Sequence, residues 1–232
     1  MDTIRRQARV AGLLYFLGSI TAPFSLIYVP KTLIVPGDAT ATADHVRASG
    51  ALLRLGMASE MITAVMFIFV VLALCRLFKE VSHTHAAAMA ILMLVSVPIS
   101  MVNVLNDAAA LILAGGAGYL SVFGKGQLDA LALLFLRLHG NGLFVAEIFW
   151  GLWLFPFGTL VIRSGFIPRA LGVLLMIAGF GYVASAVTAL LLPQYSHGVG
   201  QVAMMLQVGE VPIVFWLLIW GAKEQRVMAP TS

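Results

Sequence analysis

Apolar residues fall into six long runs along the chain, and polar residues concentrate between those runs. Each run has about 20 residues or more, enough to cross the hydrocarbon core of a bilayer as an α-helix. The runs lack the strict apolar–polar alternation of barrel strands, so they predict membrane-spanning helices. The segment Pro30–Gly50, between the first and second runs, is predicted to be a loop. The predicted spans are Val10–Val29, Leu52–Phe78, Ala86–Ala114, Ala130–Ile162, Ala170–Leu192 and Val199–Trp220.

Composition supports this interpretation. The chain of 232 residues is 61% hydrophobic and 10% charged, with a mean hydropathy of +0.99. Soluble domains carry about 25% charged residues, and a soluble domain of this size could not bury so much apolar surface. No linker-like segment divides the chain. We therefore expect an all-α membrane protein with a single six-helix transmembrane domain over residues 1–232, and the lipid bilayer as its partner.

The distribution of Lys and Arg predicts the orientation. Three basic residues lie in the loops on one side of the predicted spans: Lys31, Arg47 and Lys125. Nine lie on the other side: Arg5, Arg6, Arg9, Arg76, Lys79, Arg163, Arg169, Lys223 and Arg226. Because cytoplasmic flanks carry the excess of Lys and Arg, both termini are predicted to be cytoplasmic in a multi-pass protein of the inner (plasma) membrane. The basic residues at span ends suit lipid headgroups, and nucleic acid is not an expected partner.

One glutamate occurs in each of the second, fourth and sixth spans. Glu60, Glu147 and Glu210 are each followed sixteen residues later by an arginine on the predicted cytoplasmic side. This interval corresponds to about 24 Å of helix, so the three carboxylates are predicted to share one depth in the membrane. The pattern is consistent with three repeated helical hairpins, although so few matching positions also arise by chance.

Ionisable side chains inside membrane spans are costly, and they commonly mark functional sites. In the third span Asn103 and Asp107 fall on one helix face near the predicted glutamate level. Arg54 and Arg137 lie nearer the outer end of their spans, where they are predicted to balance charge or gate entry. The acids outnumber these arginines, so a proton, a cation or a small polar ligand would balance the charge. The predicted outward-facing acidic pocket has six ligand- or cation-binding residues: Glu60, Asn103, Asp107, His139, Glu147 and Glu210.

Three functions agree with such a pocket. The first is transport or sensing of the bound cation, proton or ligand. The second is an intramembrane metal-dependent enzyme of the hydrolase type, in which His139 and carboxylates, Glu147 first, hold a metal that activates water. The third is a structural membrane subunit whose polar groups join helices. The sequence leaves open whether the protein is an enzyme.

Several cofactors lack a sequence signature. No lysine lies in a predicted span, which excludes a retinal Schiff base. His139 is the one histidine well inside a span, so a bis-histidine haem is not indicated. Cys75 is the single cysteine, too few for an Fe–S cluster. No nucleotide-binding motif is present.

Three stretches carry a resemblance to a known family. They are GSITAPFSLIYVP (Gly18–Pro30), LRLHGNGLFVAEIFWGLWLFPFG (Leu136–Gly158) and RSGFIPRALGVLLMIAGFGY (Arg163–Tyr182). Together they resemble a bacterial multi-pass membrane family labelled domain of unknown function 4386, over nearly the whole chain. The resemblance implies a six-helix membrane protein. It implies no activity and no catalytic residues.

Overall fold

The computed structural model describes residues 2–222, which form helices and no strands. Six helical spans in this part of the chain are long and apolar enough to cross a membrane. They are Ile4–Leu33, Gly50–Phe78, His83–Gly115, Lys125–Ser164, Arg169–Leu191 and Pro193–Ile219. The predicted all-helical, six-span architecture is therefore confirmed. The cytoplasmic location of both termini and the three repeated hairpins stay predictions, and Lys223 and Arg226 lie outside the described residues.

Several spans contain more than one helical segment. In chain order the α-helices are α1 (Asp2–Pro23), α2 (Val29–Leu33), α3 (Ala39–Ala48), α4 (Gly50–Phe78), α5 (His83–Gly115), α6 (Lys125–Leu152), α7 (Leu154–Ser164), α8 (Arg169–Leu191), α9 (Ser196–Gln207) and α10 (Val211–Ile219). A π-helical turn, Phe24–Tyr28, joins α1 to α2, and a 3₁₀ turn, Val208–Glu210, joins α9 to α10. Each of these joints lies within one span, so the first and sixth spans remain helical from end to end.

Proline accounts for the break in the fourth span. Trp153 separates α6 from α7, three residues before Pro156. Proline has no backbone N–H, and its ring clashes with the carbonyl group four residues earlier, here that of Leu152. Pro98 is different, because α5 continues through it. A proline in a membrane helix is thus compatible with either outcome in this chain.

The segment Pro30–Gly50, predicted as a loop, contains the helix α3. Asp38 precedes this helix and accepts a hydrogen bond from the backbone N–H of Ala41 at 2.8 Å, which is a standard N-cap. Near its other end, Arg47 donates to the buried Asp129 at 2.9 Å and to the carbonyl oxygen of Ala114 at 3.2 Å. Arg47 also bonds Asp44, and this hydrogen bond lowers the pKa of the Asp44 carboxyl. Ala114 and Asp129 are distant from Arg47 in sequence, so the local pattern of α3 did not reveal these contacts.

The chain divides into two compact units by its internal contacts. Among the described residues, unit 1 comprises 2–16, Phe67–Val95 and 147–222. Unit 2 comprises Leu17–Met66 and Ser96–Ala146. Each unit has an apolar core of its own. The single domain over residues 1–232 stays a prediction.

The core of unit 1 is aromatic. Trp153 stacks on Phe157 with ring centroids 5.3 Å apart, and Phe157 meets Phe78 edge to face at 5.8 Å. Tyr15 also packs against Trp153, with ring centroids 5.9 Å apart. All four rings are buried. Aromatic pairs at these separations stabilise the folded state by more than their buried area alone accounts for.

The core of unit 2 is smaller and aliphatic. It contains Val29 and Leu33 from α2, Leu53 from α4 and Leu136 from α6. Gly56 lets α4 approach α2, because a Cβ atom at this position would lie 3.2 Å from the Val29 methyl groups. The same helices α4 and α6, together with α5, carry the polar residues of unit 2.

Glycines in unit 1 bring helix backbones into direct contact. A Cβ atom at Gly158 of α7 would lie 2.6 Å from the carbonyl oxygen of Gly172 of α8, and the reverse distance is also 2.6 Å. Small residues of this kind allow close helix packing in membranes, where lipid removes the usual hydrophobic driving force between helices. The α7–α8 contact therefore depends on two residues without side chains.

We expect Gly172→Ala to destabilise the protein by about 1–3 kcal/mol, because the new methyl group must push the two backbones apart. The measurement is the thermal unfolding midpoint of the purified protein in detergent. Gly200→Ala is the matched control, since Gly200 is also helical and a Cβ there has no neighbour within 4 Å. A midpoint that falls equally in both variants would contradict the close-packing argument.

The predicted orientation can be tested with single cysteines in a Cys75→Ser background. Thr40 and Glu80 are exposed positions in the segments after the first and second spans. Thr40→Cys should react with a membrane-impermeant thiol reagent in intact cells, and Glu80→Cys should react only after permeabilisation. The opposite pattern would place the termini outside the cytoplasm.

Candidate metal centre

Three ionisable side chains meet inside unit 2. Glu60 of α4, Asp107 of α5 and His139 of α6 each offer one ligand atom, and these atoms lie within 4.8 Å of one another. All three residues are buried, with 6% to 7% of their surface exposed. Because three different helices contribute them, the group forms only when these helices pack together.

The polar face of α5 explains why Asp107 points inward. Ser96, Ser100, Asn103 and Asp107 follow one another at helical spacing on one face, and all four are buried. The opposite side of α5 presents Val102 and Leu105, each 65% exposed. In a bilayer the polar face of a helix turns toward protein, since lipid cannot hydrogen-bond its side chains. The helix face that the sequence pattern predicts for Asn103 and Asp107 is the buried face of α5.

His139 stands between the two carboxylates. Its Nε2 atom lies 3.3 Å from Oε2 of Glu60, and its Nδ1 atom lies 3.4 Å from Oδ2 of Asp107. A neutral imidazole has one N–H group and one nitrogen lone pair. With both carboxylates ionised, a neutral ring would direct its lone pair at a carboxylate oxygen. A proton or a metal ion is needed to make both contacts favourable.

Asn103 holds the backbone next to His139. Its Nδ2 atom donates to the carbonyl oxygen of His139 at 2.8 Å and lies 3.5 Å from Nδ1 of the same residue. Asn106 in turn donates to Oδ1 of Asn103 at 2.9 Å. Gly142 provides the space for this arrangement, because a Cβ atom there would overlap the Asn103 carboxamide. Asn106 was missed from the sequence, since it lies off the polar face of α5.

One oxygen atom of Glu60 has no partner. Oε1 is buried and accepts no hydrogen bond in the part of the chain that the structure describes. Leaving a buried carboxylate oxygen unpaired costs free energy on the order of 1–3 kcal/mol or more. Carboxylate oxygen and imidazole nitrogen are also established ligands of zinc and related divalent ions. The unpaired oxygen therefore marks a place where a cation would be stabilised.

One of the distances at His139 can correspond to a ligand–ligand distance around such an ion. Ligand atoms about 2.0–2.1 Å from a tetrahedral zinc ion lie about 3.3 Å from one another. Nε2 of His139 lies 3.3 Å from Glu60, and Nδ1 lies 3.4 Å from Asp107. Since only one ring nitrogen can bind the ion, the other would donate its N–H to the second carboxylate, as ligand histidines usually do. Binding of all three residues would therefore require the ligand atoms, which lie within 4.8 Å of one another, to move closer together.

Glu147 and Glu210 belong to unit 1, where each has partners of its own. Glu210 accepts a hydrogen bond from the Tyr15 hydroxyl and is also hydrogen-bonded to Tyr182. Glu147 accepts one from Nε2 of Gln207 at 2.9 Å and another from Ser185. The tyrosines and Ser185 were missed from the sequence, because single polar atoms in apolar spans resemble packing residues. The common depth of the three glutamates stays a prediction.

The predicted arginines are not paired with these acids. Arg54 and Arg137 are exposed, and neither forms an ion pair with an acid among residues 2–222. Their charge-balancing or gating role stays a prediction. So does the metal pair of His139 with Glu147. The acids that lie beside His139 within unit 2 are Glu60 and Asp107.

Comparisons with known proteins give a family and no activity. A stretch of 82 residues is 38% identical to an uncharacterized protein of Archaeoglobus fulgidus, covering 35% of this chain and 48% of that protein. The match thus spans about half the length of that relative. No solved structure matches the chain. The family described as Domain of unknown function (DUF4386) matches residues 10–221. This match covers nearly the whole chain, and the protein is a member of the DUF4386 family.

Proposed function

We propose that this membrane protein binds one divalent transition-metal ion, zinc first, through Glu60, Asp107 and His139. The observation that carries the proposal is the meeting of three ligand atoms within 4.8 Å, beside a buried Glu60 oxygen that has no other partner. Imidazole nitrogen and carboxylate oxygen are both established zinc ligands. The ion would lie between the lone pair of a neutral His139 and a carboxylate oxygen, and it would replace their repulsion with two favourable contacts.

Charge supports a divalent ion. With both carboxylates ionised and His139 neutral, the three side chains carry a formal charge of −2. A divalent cation cancels this charge in a medium where unpaired charge is expensive. A protonated His139 would leave a charge of −1 and the Glu60 Oε1 atom still without a partner. The purely structural alternative therefore accounts for less of the site.

The ligand number supports chemistry at the metal. Structural zinc sites usually have four protein ligands, whereas catalytic sites have three and keep one position for water. Glu60, Asp107 and His139 supply three. A metal-bound water in the remaining position would serve as a nucleophile, as in metal-dependent hydrolases. We therefore place the enzyme hypothesis ahead of transport.

A specific observation keeps transport as the second candidate. Glu147 and Glu210 are carboxylates within the spans of unit 1, and their recorded partners are Ser, Gln and Tyr side chains. Neither has a basic partner among the residues described. Carboxylates of this kind are typical of proton and cation pathways through membranes. An outward-facing pocket for a cation or proton, in transport or sensing, would use them.

Metal content tests the first proposal. Purified full-length protein should contain about one zinc ion per chain by mass spectrometry of the metal, and added zinc should raise its unfolding midpoint. Zinc at a hundred times its dissociation constant would stabilise the folded state by about 2.7 kcal/mol. Glu60→Gln, Asp107→Asn and His139→Ala should each lose the bound metal, because each removes one ligand.

Glu147→Gln is the matched control for this experiment. It also removes one carboxylate from α6, a half-buried one that belongs to unit 1, and it should keep the metal. A wild-type protein that takes up no divalent metal after loading would refute the proposed site. Loss of metal in Glu147→Gln together with retention in Glu60→Gln would move the site to the glutamate predicted from the sequence.

Transport makes a separate prediction. Proteoliposomes that enclose a zinc-sensitive dye should show uptake that slows in Glu210→Gln, while metal binding at unit 2 stays unchanged. The amide keeps the size of the side chain and removes its charge, so cation passage would suffer before folding does. Absence of uptake by the metal-loaded wild type would eliminate transport of that ion.

A further inference from the structure

A groove opens on the surface of unit 2 directly beside the metal centre. It lies between α5 and α6 and has a volume of about 600 Å³, within the usual range for ligand sites of about 300–1,000 Å³. Its walls are apolar and include Val102, Leu105 and Val145. Its floor contains Asn103, Asn106 and Gly142. Among these floor residues, Asn103 hydrogen-bonds the carbonyl oxygen of His139.

The position of the groove along α5 determines which molecules can reach it. Asn106 lies nine residues before the end of α5 at Gly115, about 14 Å along the helix axis. With 33 residues, α5 is about 50 Å long and exceeds a hydrocarbon core of about 30 Å. With α5 centred on this core, Asn106 lies about 4 Å inside the hydrocarbon boundary, near the depth at which acyl chains join their headgroups. The groove extends from there toward the middle of the core, at Pro98. Bilayer lipids are the molecules present there.

A hydrocarbon chain alone does not satisfy the polar groups on the floor of the groove. The Asn106 carboxamide has two N–H groups, and one of them donates to Asn103. An unpaired amide N–H that faces hydrocarbon is costly. A carbonyl oxygen of an ester or amide linkage would accept from the remaining N–H, while the attached chain lies along Val102 and Leu105. The groove thus combines a place for an acyl chain with a donor for its carbonyl group.

We infer that this groove binds one acylated lipid from the bilayer and holds its carbonyl group at Asn106, beside the metal centre. The inference rests on the proposed function in one respect. If the metal site is present, the molecule held next to the metal is an acylated lipid. The lipid enters sideways from the membrane and does not cross water. Asn103 contacts both the groove and His139, so it connects the bound lipid to the metal ligands.

Photocrosslinking tests the inference in zinc-loaded, full-length protein in vesicles of phosphatidylethanolamine and phosphatidylglycerol. Two phosphatidylcholine probes carry the same diazirine on one chain, one with ester-linked and one with ether-linked chains. The ester probe should concentrate its crosslinks at the groove. The ether probe, which lacks the carbonyl oxygen, should give only the background found elsewhere on α5. Asn106→Leu should remove the difference between the two probes.

Groove-filling variants provide the second arm. In Val102→Trp the indole occupies the space between α5 and α6, and the groove crosslinks should fall to background. Leu105→Trp is a second filling variant at an equally exposed position. Ile91→Trp is the matched control, because Ile91 is also on α5 and is 62% exposed against 65% for Val102. It should leave the groove crosslinks unchanged.

Two outcomes would overturn the inference. Crosslinks spread evenly over the exposed face of α5 would mean ordinary bilayer lipid only, and equal labelling by both probes would remove the role of the carbonyl group. Metal content is measured on the same samples. Groove-specific crosslinks in a protein without metal would refute the metal proposal alone, and bound metal without groove-specific crosslinks would refute the lipid inference alone.

Discussion

The contact of one imidazole ring with two carboxylates is the constraint on which unit 2 depends. Glu60, Asp107 and His139 come from three helices, and no one of them is acceptable alone inside a membrane. Removing any partner leaves the others buried and unpaired, which costs more than the contact itself contributes. The packing of α4, α5 and α6 and the chemistry of the site therefore depend on the same three side chains. An ion that satisfies all three groups would stabilise the helix arrangement as well as perform a function.

Acidic residues in this chain meet different partners according to their location. Asp129, near the start of α6, is buried against Arg47 and Lys125. Arg47 also donates to the carbonyl oxygen of Ala114 in α5, so it attaches α3 to the ends of two long helices. Glu60 and Asp107 have a histidine as their partner, while Glu147 and Glu210 have neutral donors. Strongly basic side chains are absent from these inner contacts among the residues described. The acids near the loops are thus suited to structure, and those within the spans remain available to a proton or a cation.

Much of the fold was predictable because lipid imposes a simple rule on sequence. A run of about 20 apolar residues is visible without any tertiary information, and all six runs proved to be helical spans. The inward face of α5 was predictable for the same reason. Two features were not. The helix α3 depends on Arg47 partners far away in sequence, and the break at Trp153 was not distinguishable from the uninterrupted helix at Pro98.

The candidate site was predicted in part. Sequence position gives the depth of a residue along its helix but not which neighbouring helix it faces. The equal spacing of the three glutamates favoured one common layer, and it gave no means to see that Glu60 would meet Asp107 and His139 while Glu147 met Gln207. Side-chain identity is a better guide than spacing, since Glu60, Asp107 and His139 are all ionisable residues within predicted spans.

Gly142 gives this site an unusual sensitivity to sequence. The residue supplies no side chain to the site, yet the space above its backbone is filled by the Asn103 carboxamide that binds the His139 carbonyl oxygen. One additional methyl group at this position would displace that carboxamide. Variation among natural relatives at such a position would alter the geometry around His139 while Glu60, Asp107 and His139 stayed unchanged. A search for divergent function within the family should therefore include glycines that border the site.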